Sequence, residues 1–446
     1  MKKRIKLMMF FVLIVSFSSL TSADEIAELK KEIQQLRQDY VSEIQRLQVQ
    51  INALSKTQPE APDTKILDVE YVGRHEGPFE KGGLLIKNPW GFGNVSVGGY
   101  ADIEYENFEN STSTFDQHRW IINIGAELFD RLRFYSEYEI EHGGPDASGG
   151  GEAKVEQAWI DYLIADWINL RAGALLVPFG RYNLYHDSDL QDLTDRPLVA
   201  RRVIPTTWTE SGAGIHGEFN PRMGEYEDLI LEYEAYVING LNSGFSDRGL
   251  RGARGSIKQD NNQFKSLVGR LTVSPFQGHE LGFSGYYGEY DKASHYITGG
   301  AVDWFSSLDI PVDVPGLNLG PLELVGEYAY FGMDVPANMN IAELATGFYA
   351  QANLHFWPEF LDDTFFGRNF ENPTFTLVGR YGWAKIDDDV DTGAGLNEEE
   401  RFTLGINYRP VESWVFKLEY QHNKTENETL ERGDDSGFMA SVAMGF

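Results

Sequence analysis

Residues 401–421 read RFTLGINYRPVESWVFKLEYQ. Phe402, Leu404, Ile406 and Tyr408 alternate with Thr403, Asn407 and Arg409. After Pro410-Val411-Glu412, Trp414, Phe416, Leu418 and Tyr420 alternate with Lys417, Glu419 and Gln421. A period of two sends each set to its own face of a strand, so the stretch predicts a hairpin with one apolar and one polar face around a very short turn.

The same texture fills most of the chain. Val95, Val97, Ala101 and Ile103 oppose Ser96, Tyr100, Asp102 and Glu104, and Leu132, Phe134, Tyr138 and Ile140 oppose Arg133, Glu137, Glu139 and Glu141. Leu170, Leu231 and Leu271 take the apolar face beside Arg171, Glu232, Glu234 and Arg270, and Leu377 and Tyr381 flank Arg380 on theirs. Sixteen such segments are predicted, at 92–107, 117–129, 131–142, 153–163, 167–178, 209–219, 228–239, 264–274, 279–290, 294–303, 320–332, 345–357, 373–386, 400–409, 413–424 and 435–446. The tenth is crowded by Pro311, Pro315 and Pro321 just after it.

A soluble sandwich also alternates, with its apolar face inward. Three features favour a membrane barrel. Many segments run to ten residues or more, enough for a tilted strand to cross the hydrocarbon layer. Aromatics such as Tyr105, Trp120, Trp159, Trp357, Trp383 and Trp414 sit at segment ends, where interfacial girdles are found. Very short connections, at Asp130 and Pro410–Glu412, contrast with long polar ones at 143–151, 239–262 and 387–399, the loop asymmetry of such barrels. The expected fold is all-β: a transmembrane antiparallel β-barrel of about sixteen strands over 90–446. Sixteen strands leave a water-filled lumen.

The beginning of the chain reads differently. Residues 1–23 combine a basic start, an apolar run from Leu7 to Val15 and Thr21-Ser22-Ala23, which predicts a secretory signal peptide cleaved near Ala23. Residues 24–56 repeat Ile26, Ile33, Tyr40, Leu47 and Leu54 every seven positions, predicting an N-terminal α-helical coiled coil and hence self-association. A Pro-containing linker at 58–63 follows, and 57–89 is read as linker and barrel entry. No Cys is present, which excludes lipoprotein processing, disulfides and thiolate metal sites. Cleavage takes away Lys2, Lys3, Arg4 and Lys6 and moves the net charge from -30 to -34, so nucleic acid is excluded as a partner.

The last segment carries Phe438, Ala440, Val442 and Met444 on one face and ends in Phe446. An alternating final strand closed by Phe resembles the signal read by the barrel-assembly machinery of Gram-negative bacteria. The stretch 90–446 resembles the family of phosphate-selective porins O and P. The resemblance rests on Val177-Pro178-Phe179-Gly180-Arg181, Ser188-Asp189, Asp195-Arg196-Pro197-Leu198, Pro205, Gly212-Ala213-Gly214-Ile215-His216-Gly217 and Tyr236-Val237-Ile238-Asn239-Gly240. It implies a homotrimer of sixteen-stranded barrels in outer-membrane lipid, each with its third long loop folded into the lumen, and some relatives carry an N-terminal coiled coil. The implied function is an outer-membrane channel for passive diffusion of small hydrophilic solutes or ions. The acidic charge departs from the family's Lys- and Arg-lined channels, so phosphate selectivity is not carried over. The alternative reading is a structural barrel that ties the membrane to peptidoglycan through the coiled coil.

The connection 181–210 is too long for an idle loop. It gathers Arg181, Asp187, Asp189, Asp192, Asp195, Arg196, Arg201, Arg202 and Glu210, charges of both signs that suit a pore constriction and equally suit ion pairs pinning the loop to the wall. The lumen wall is assigned Asp102, Glu104, Arg133, Glu137, Glu139, Arg171, Glu232, Glu234, Arg270 and Arg380. His186, His216, His355 and His422 are dispersed, and Asp387–Asp391 lacks the spacing and closing Glu of an EF-hand, so no metal site is expected. Nucleophile elbows, phosphate loops and zinc-protease motifs are missing from the sequence, so neither enzyme chemistry nor a cofactor is expected.

Overall fold

The computed structural model describes residues 46, 68–88, 93–143, 151–221, 228–246, 248–255, 257–336, 342–387, 397–425 and 434–446. The signal peptide, the coiled coil, the 58–63 linker and most of the acidic run after Asp387 lie outside these residues.

Eighteen strands form one sheet among the described residues. Two short ones, β1 (Asp68–Val72) and β2 (Gly83–Lys87), make a hairpin. The other sixteen are β3 (Gly93–Phe108), β4 (Thr114–Leu128), β5 (Leu132–Glu141), β6 (Glu152–Ala165), β7 (Ile168–Leu176), β8 (Thr209–Phe219), β9 (Ile230–Ile238), β10 (Ser266–Phe276), β11 (His279–Glu289), β12 (Tyr296–Leu308), β13 (Leu317–Met333), β14 (Leu344–Pro358), β15 (Thr374–Asp387), β16 (Asn397–Val411), β17 (Trp414–Thr425) and β18 (Gly437–Gly445). Each of these pairs antiparallel with its neighbour in sequence, and β18 pairs with β3, which closes the cylinder. Phe446 completes the seam by exchanging backbone hydrogen bonds with Gly99 at 2.9 and 3.0 Å.

Side chains are arranged inside out relative to a water-soluble domain. On β16–β18, Leu404, Leu418 and Phe438 face outward at 49%, 51% and 53% exposure, while Thr403, Asn407, Glu419 and Gln421 are buried on the inner face. An apolar exterior around a polar interior is stable only where lipid replaces water outside. All sixteen predicted segments correspond to strands. The tenth runs further than expected, to Leu308, and Pro311 and Pro315 fall in the connection after it. Pro321 lies within β13 at a register shift between Leu319 and Leu322, a place where the missing N–H is tolerated. Pro410 likewise sits at a shift in β16, so the turn there is Glu412-Ser413 rather than Pro410–Glu412.

The expected loop asymmetry holds for the two longest connections but not throughout. The longest connections, 177–208 and 239–265, lie on the side away from the chain ends, but 359–373 is also long and lies on the near side. Two of the sheet's β-bulges re-aim charged side chains into the lumen. Between Asp102 and Glu104 of β3, the partner strand β4 carries an extra residue, so His118 and Arg119 both turn inward. Between Glu137 and Tyr138 of β5, β6 carries the extra Glu156, and Glu156 and Gln157 are both buried. Bulges re-aim side chains in this way.

Within the stretch read as linker and barrel entry, Asp68–Lys87 forms a hairpin. The β1–β2 hairpin pairs with the start of β3, from Leu84↔Val97 to Lys87↔Asn94, below the point where β18 ends. Its turn enters the lumen, where Phe79 packs on Tyr135 and Trp159 at ring separations of 5.5 and 6.1 Å.

Candidate pore constriction

The loop 177–208 leaves β7 through Val177-Pro178-Phe179-Gly180. Phe179 is fully buried against Phe331 and Trp208, at 4.8 and 5.9 Å between rings. Gly180 has φ +72, and a Cβ there would stand 1.9 Å from Glu327 Oε1, so only glycine fits this turn. The Arg181 amide donates to the same Glu327 oxygen at 2.8 Å. At the neck, the Asn183 side chain donates to Val177 O and accepts from the Trp208 amide, at 2.8 and 2.9 Å, fastening the two ends of the loop together.

Between these ends the loop crosses to the opposite wall. Lys417 Nζ donates to Ser188 O at 2.6 Å, and Arg409 to Asp189 O at 2.7 Å. Asn353 donates to Asp192 at 2.8 Å, and Glu419 accepts from the Thr194 amide at 2.6 Å. Asp195 is held by Arg401 at 2.6 Å and Arg201 at 2.9 Å, and its carbonyl accepts from Arg380 at 2.7 Å. A short helix, α1 (Leu198–Arg202), then rests on β14 and β15.

The hairpin fastens the loop from the other direction. Arg74 lies 2.8 Å from Asp187 and also clasps Asp189, and Lys81 Nζ is 2.8 Å from Asp187. Burial alone would raise the Asp187 carboxyl, but Lys81 and Arg74 hold it far below the usual carboxylate range. All four loop aspartates therefore engage cations or amides of the wall and hairpin. Arg181 pairs with Glu280 at 2.5 Å and lies over Tyr185 and Phe305. Arg202 pairs with Glu399 at 2.6 Å. Glu210, fully buried at the start of β8, accepts from Trp208 Nε1 and from the amides of Gly240 and Gly255, tying loop 239–265 to the wall.

Cavities lie on both faces of the loop. The outer one, about 540 Å³, has an acidic side formed by Glu104, Glu106, Asp116 and Glu141, and a basic side formed by Arg196, Arg201, Arg202, Arg248 and Arg251. Arg196 and Arg251 both donate to Thr206 O, at 2.8 and 2.7 Å, and Arg254 to Thr207 O at 2.8 Å; none of the three has a carboxylate partner among the described residues. Burial and the facing guanidiniums of Arg196 and Arg254 push Arg251 down to about 9. The inner cavities are about 440 and 380 Å³. Tyr182 and Gln191 line both the outer cavity and the 380 Å³ inner one.

The wall residues named from sequence are mostly paired. Asp102 and Glu104 meet His118 at 3.1 and 2.9 Å, and Glu139 meets Arg119 at 3.2 Å and Lys154 at 2.8 Å. Glu137 is buried and accepts from Gln157 at 2.8 Å. Arg171 pairs with Asp161 at 2.7 Å over the Trp159 ring, and Arg270 with Asp303 at 2.5 Å. Glu234 accepts from Tyr236 at 2.6 Å, Glu232 lines the 440 Å³ cavity, and Arg133 pairs with Glu127 at 2.7 Å. Sequence reading passed over Arg74, Lys81, Tyr182, Gln191, Glu156 and the wall cation Arg401, and it placed Arg409 and Lys417 on the polar face without assigning them to the site. It also passed over His118 and His142, whose rings lie 5.5 Å apart.

A closed lipid-facing cylinder with a pinned inward loop and polar cavities above and below it defines a porin-type β-barrel of the outer membrane. Residues 93–300 match the family model described as phosphate-selective porin O and P. A relative from Aquifex aeolicus (strain VF5), described as an uncharacterized protein, is 28% identical over 388 residues, covering 79% of this chain and 80% of the relative. Among solved structures, Salmonella typhi OmpF in complex with daunomycin has a TM-score of 0.50 at 12% identity, over 79% of this chain and 98% of that one. The outer membrane channel DcaP of Acinetobacter baumannii has a TM-score of 0.47 at 13% identity, over 80% and 98%. At 12% identity the OmpF likeness speaks to the fold alone.

Proposed function

We propose that this protein is a passive outer-membrane channel for small hydrophilic solutes. The observation that carries this reading is the pair of polar cavities that share Tyr182 and Gln191 across a loop pinned to both walls. Passage then needs no cofactor, only a polar path whose narrowest point excludes large solutes. The acidic and basic sides of the outer cavity set a transverse field that orients dipolar solutes as they enter. Purified protein in planar bilayers is expected to give stepwise currents. Tyr182→Ala, which removes a ring from the shared wall, is expected to raise single-channel conductance by roughly a quarter to a half, on the order of the widening a lost ring allows in a pore-lining wall. Absence of any conductance in the folded protein would favour the structural alternative.

The channel is proposed to act as a homotrimer whose N-terminal segment contributes a coiled coil. Heptad spacing over residues 24–56 supports this. Deleting those residues is expected to shift the oligomer to smaller species in native gels; an unchanged oligomer would remove the coiled coil from assembly.

A further inference from the structure

We propose that His118, Glu141 and His142 form a binding site for a divalent transition-metal ion of the Zn²⁺ type on the wall of the outer cavity. One ring nitrogen from each histidine and one carboxylate oxygen lie within 4.8 Å of one another. His118 Nε2 stands 3.8 Å from Glu141 Oε1, and the His142 amide donates to His118 O at 3.0 Å, which fixes the two histidines as cross-strand neighbours.

The surroundings of the two rings argue for metal rather than chance proximity. His118 Nδ1 faces Asp102 Oδ2 at 3.1 Å and Glu104 Oε1 at 2.9 Å, and His142 Nδ1 faces Asp116 Oδ2 at 2.7 Å. A carboxylate on Nδ1 fixes the tautomer, turns Nε2 outward as a ligand and makes it more basic, the arrangement around histidines that bind metal. Asp102 is 1% exposed, so the carboxylate that orients His118 is itself held in place inside the wall. Arg119 and Lys154 also approach Glu141, at 3.8 and 3.1 Å, and balance part of that charge without occupying either imidazole. Two imidazoles and a carboxylate suit borderline cations over Ca²⁺ or Mg²⁺, which prefer all-oxygen sets. The bulge in β4 shapes the site: it brings His118 and Arg119, consecutive in sequence, to the same inner face.

The test is Zn²⁺ titration of the full chain in detergent by calorimetry, with Ca²⁺ as the control cation. One Zn²⁺ per chain is expected, bound at least tenfold more tightly than Ca²⁺. His142→Ala, a substitution at a half-exposed ring, is expected to weaken Zn²⁺ by tenfold or more, and Asp116→Asn by about tenfold through the orienting bond. Each variant is checked for folding by its heat-modifiable mobility on gels. A second readout is Zn²⁺ block of single-channel current, present in the wild type and lost in His142→Ala. Binding that is absent, or equal in the wild type and the folded His142→Ala variant, overturns the site. Calorimetry decides the matter even if no current is seen, so failure of the channel reading is distinguishable.

Discussion

Arg74→Ala is expected to destabilise the barrel by about 3–5 kcal/mol and to loosen the loop that crosses the lumen. Arg74 is almost completely buried, and it is the shared partner of Asp187 and Asp189. Removing it takes the ion-pair partner from Asp189 and leaves Asp187 to Lys81, which is far worse than deleting the whole cluster. The loss is read as a lower midpoint in urea or in heat-modified gel mobility, and as noisy open-channel current. The pH dependence follows from the depressed Asp187 carboxyl. Its stabilisation is present above the ordinary aspartate range and is lost as pH falls toward the folded-state value, so the wild type weakens in acid. In Arg74→Ala that acid sensitivity should shrink, because less of the depression remains. A variant as stable as the wild type, with unchanged acid response, would show that the hairpin does not hold the loop.

The double change Arg196→Glu and Arg251→Glu should shift ion preference toward cations several-fold. Both guanidiniums face the outer cavity and, among the described residues, donate to backbone carbonyls rather than to carboxylates, so their charge is available to passing solutes. Each unit of charge about 8 Å from an ion in water is worth about 0.5 kcal/mol. Four units change here, and salt screening leaves on the order of 1 kcal/mol, which is about a fivefold change in relative permeability. The zero-current potential in a salt gradient reads this directly. The same measurement on Asp192→Asn is a useful contrast, since that carboxylate is engaged by Asn353, Asn407 and Arg409 and should move the potential little.

The lipid-facing and water-facing sets were legible because their period is local: Leu404 and Thr403 declare opposite faces without reference to any other strand. The long loop was legible from its length and from the Pro-Phe-Gly turn at its entry. Three things were hidden. The bulges depend on how β4 meets β3 and β6 meets β5, and a register is a property of two strands, so His118 and Glu156 looked ordinary. The hairpin strands are five residues each and carry no aromatic girdle, so they merged with the linker. The pairs of Asp187 and Asp189 with Arg74 and of Asp195 with Arg401 join residues more than a hundred positions apart, and charge alone could not say whether those aspartates line the path or anchor the loop.

The strand that closes the cylinder, β3, shares one edge between two partners, with β18 above and the hairpin below. Gly98 marks the corner: a Cβ there would stand 2.9 Å from Gly82 O and 3.0 Å from Phe446 O. A two-residue slip of the final strand would preserve every inward and outward side chain, so alternation by itself cannot forbid it. The hairpin can, because a slipped β18 would run into Gly82. The first strand pair of the described sheet thus acts as a doorstop for its last strand.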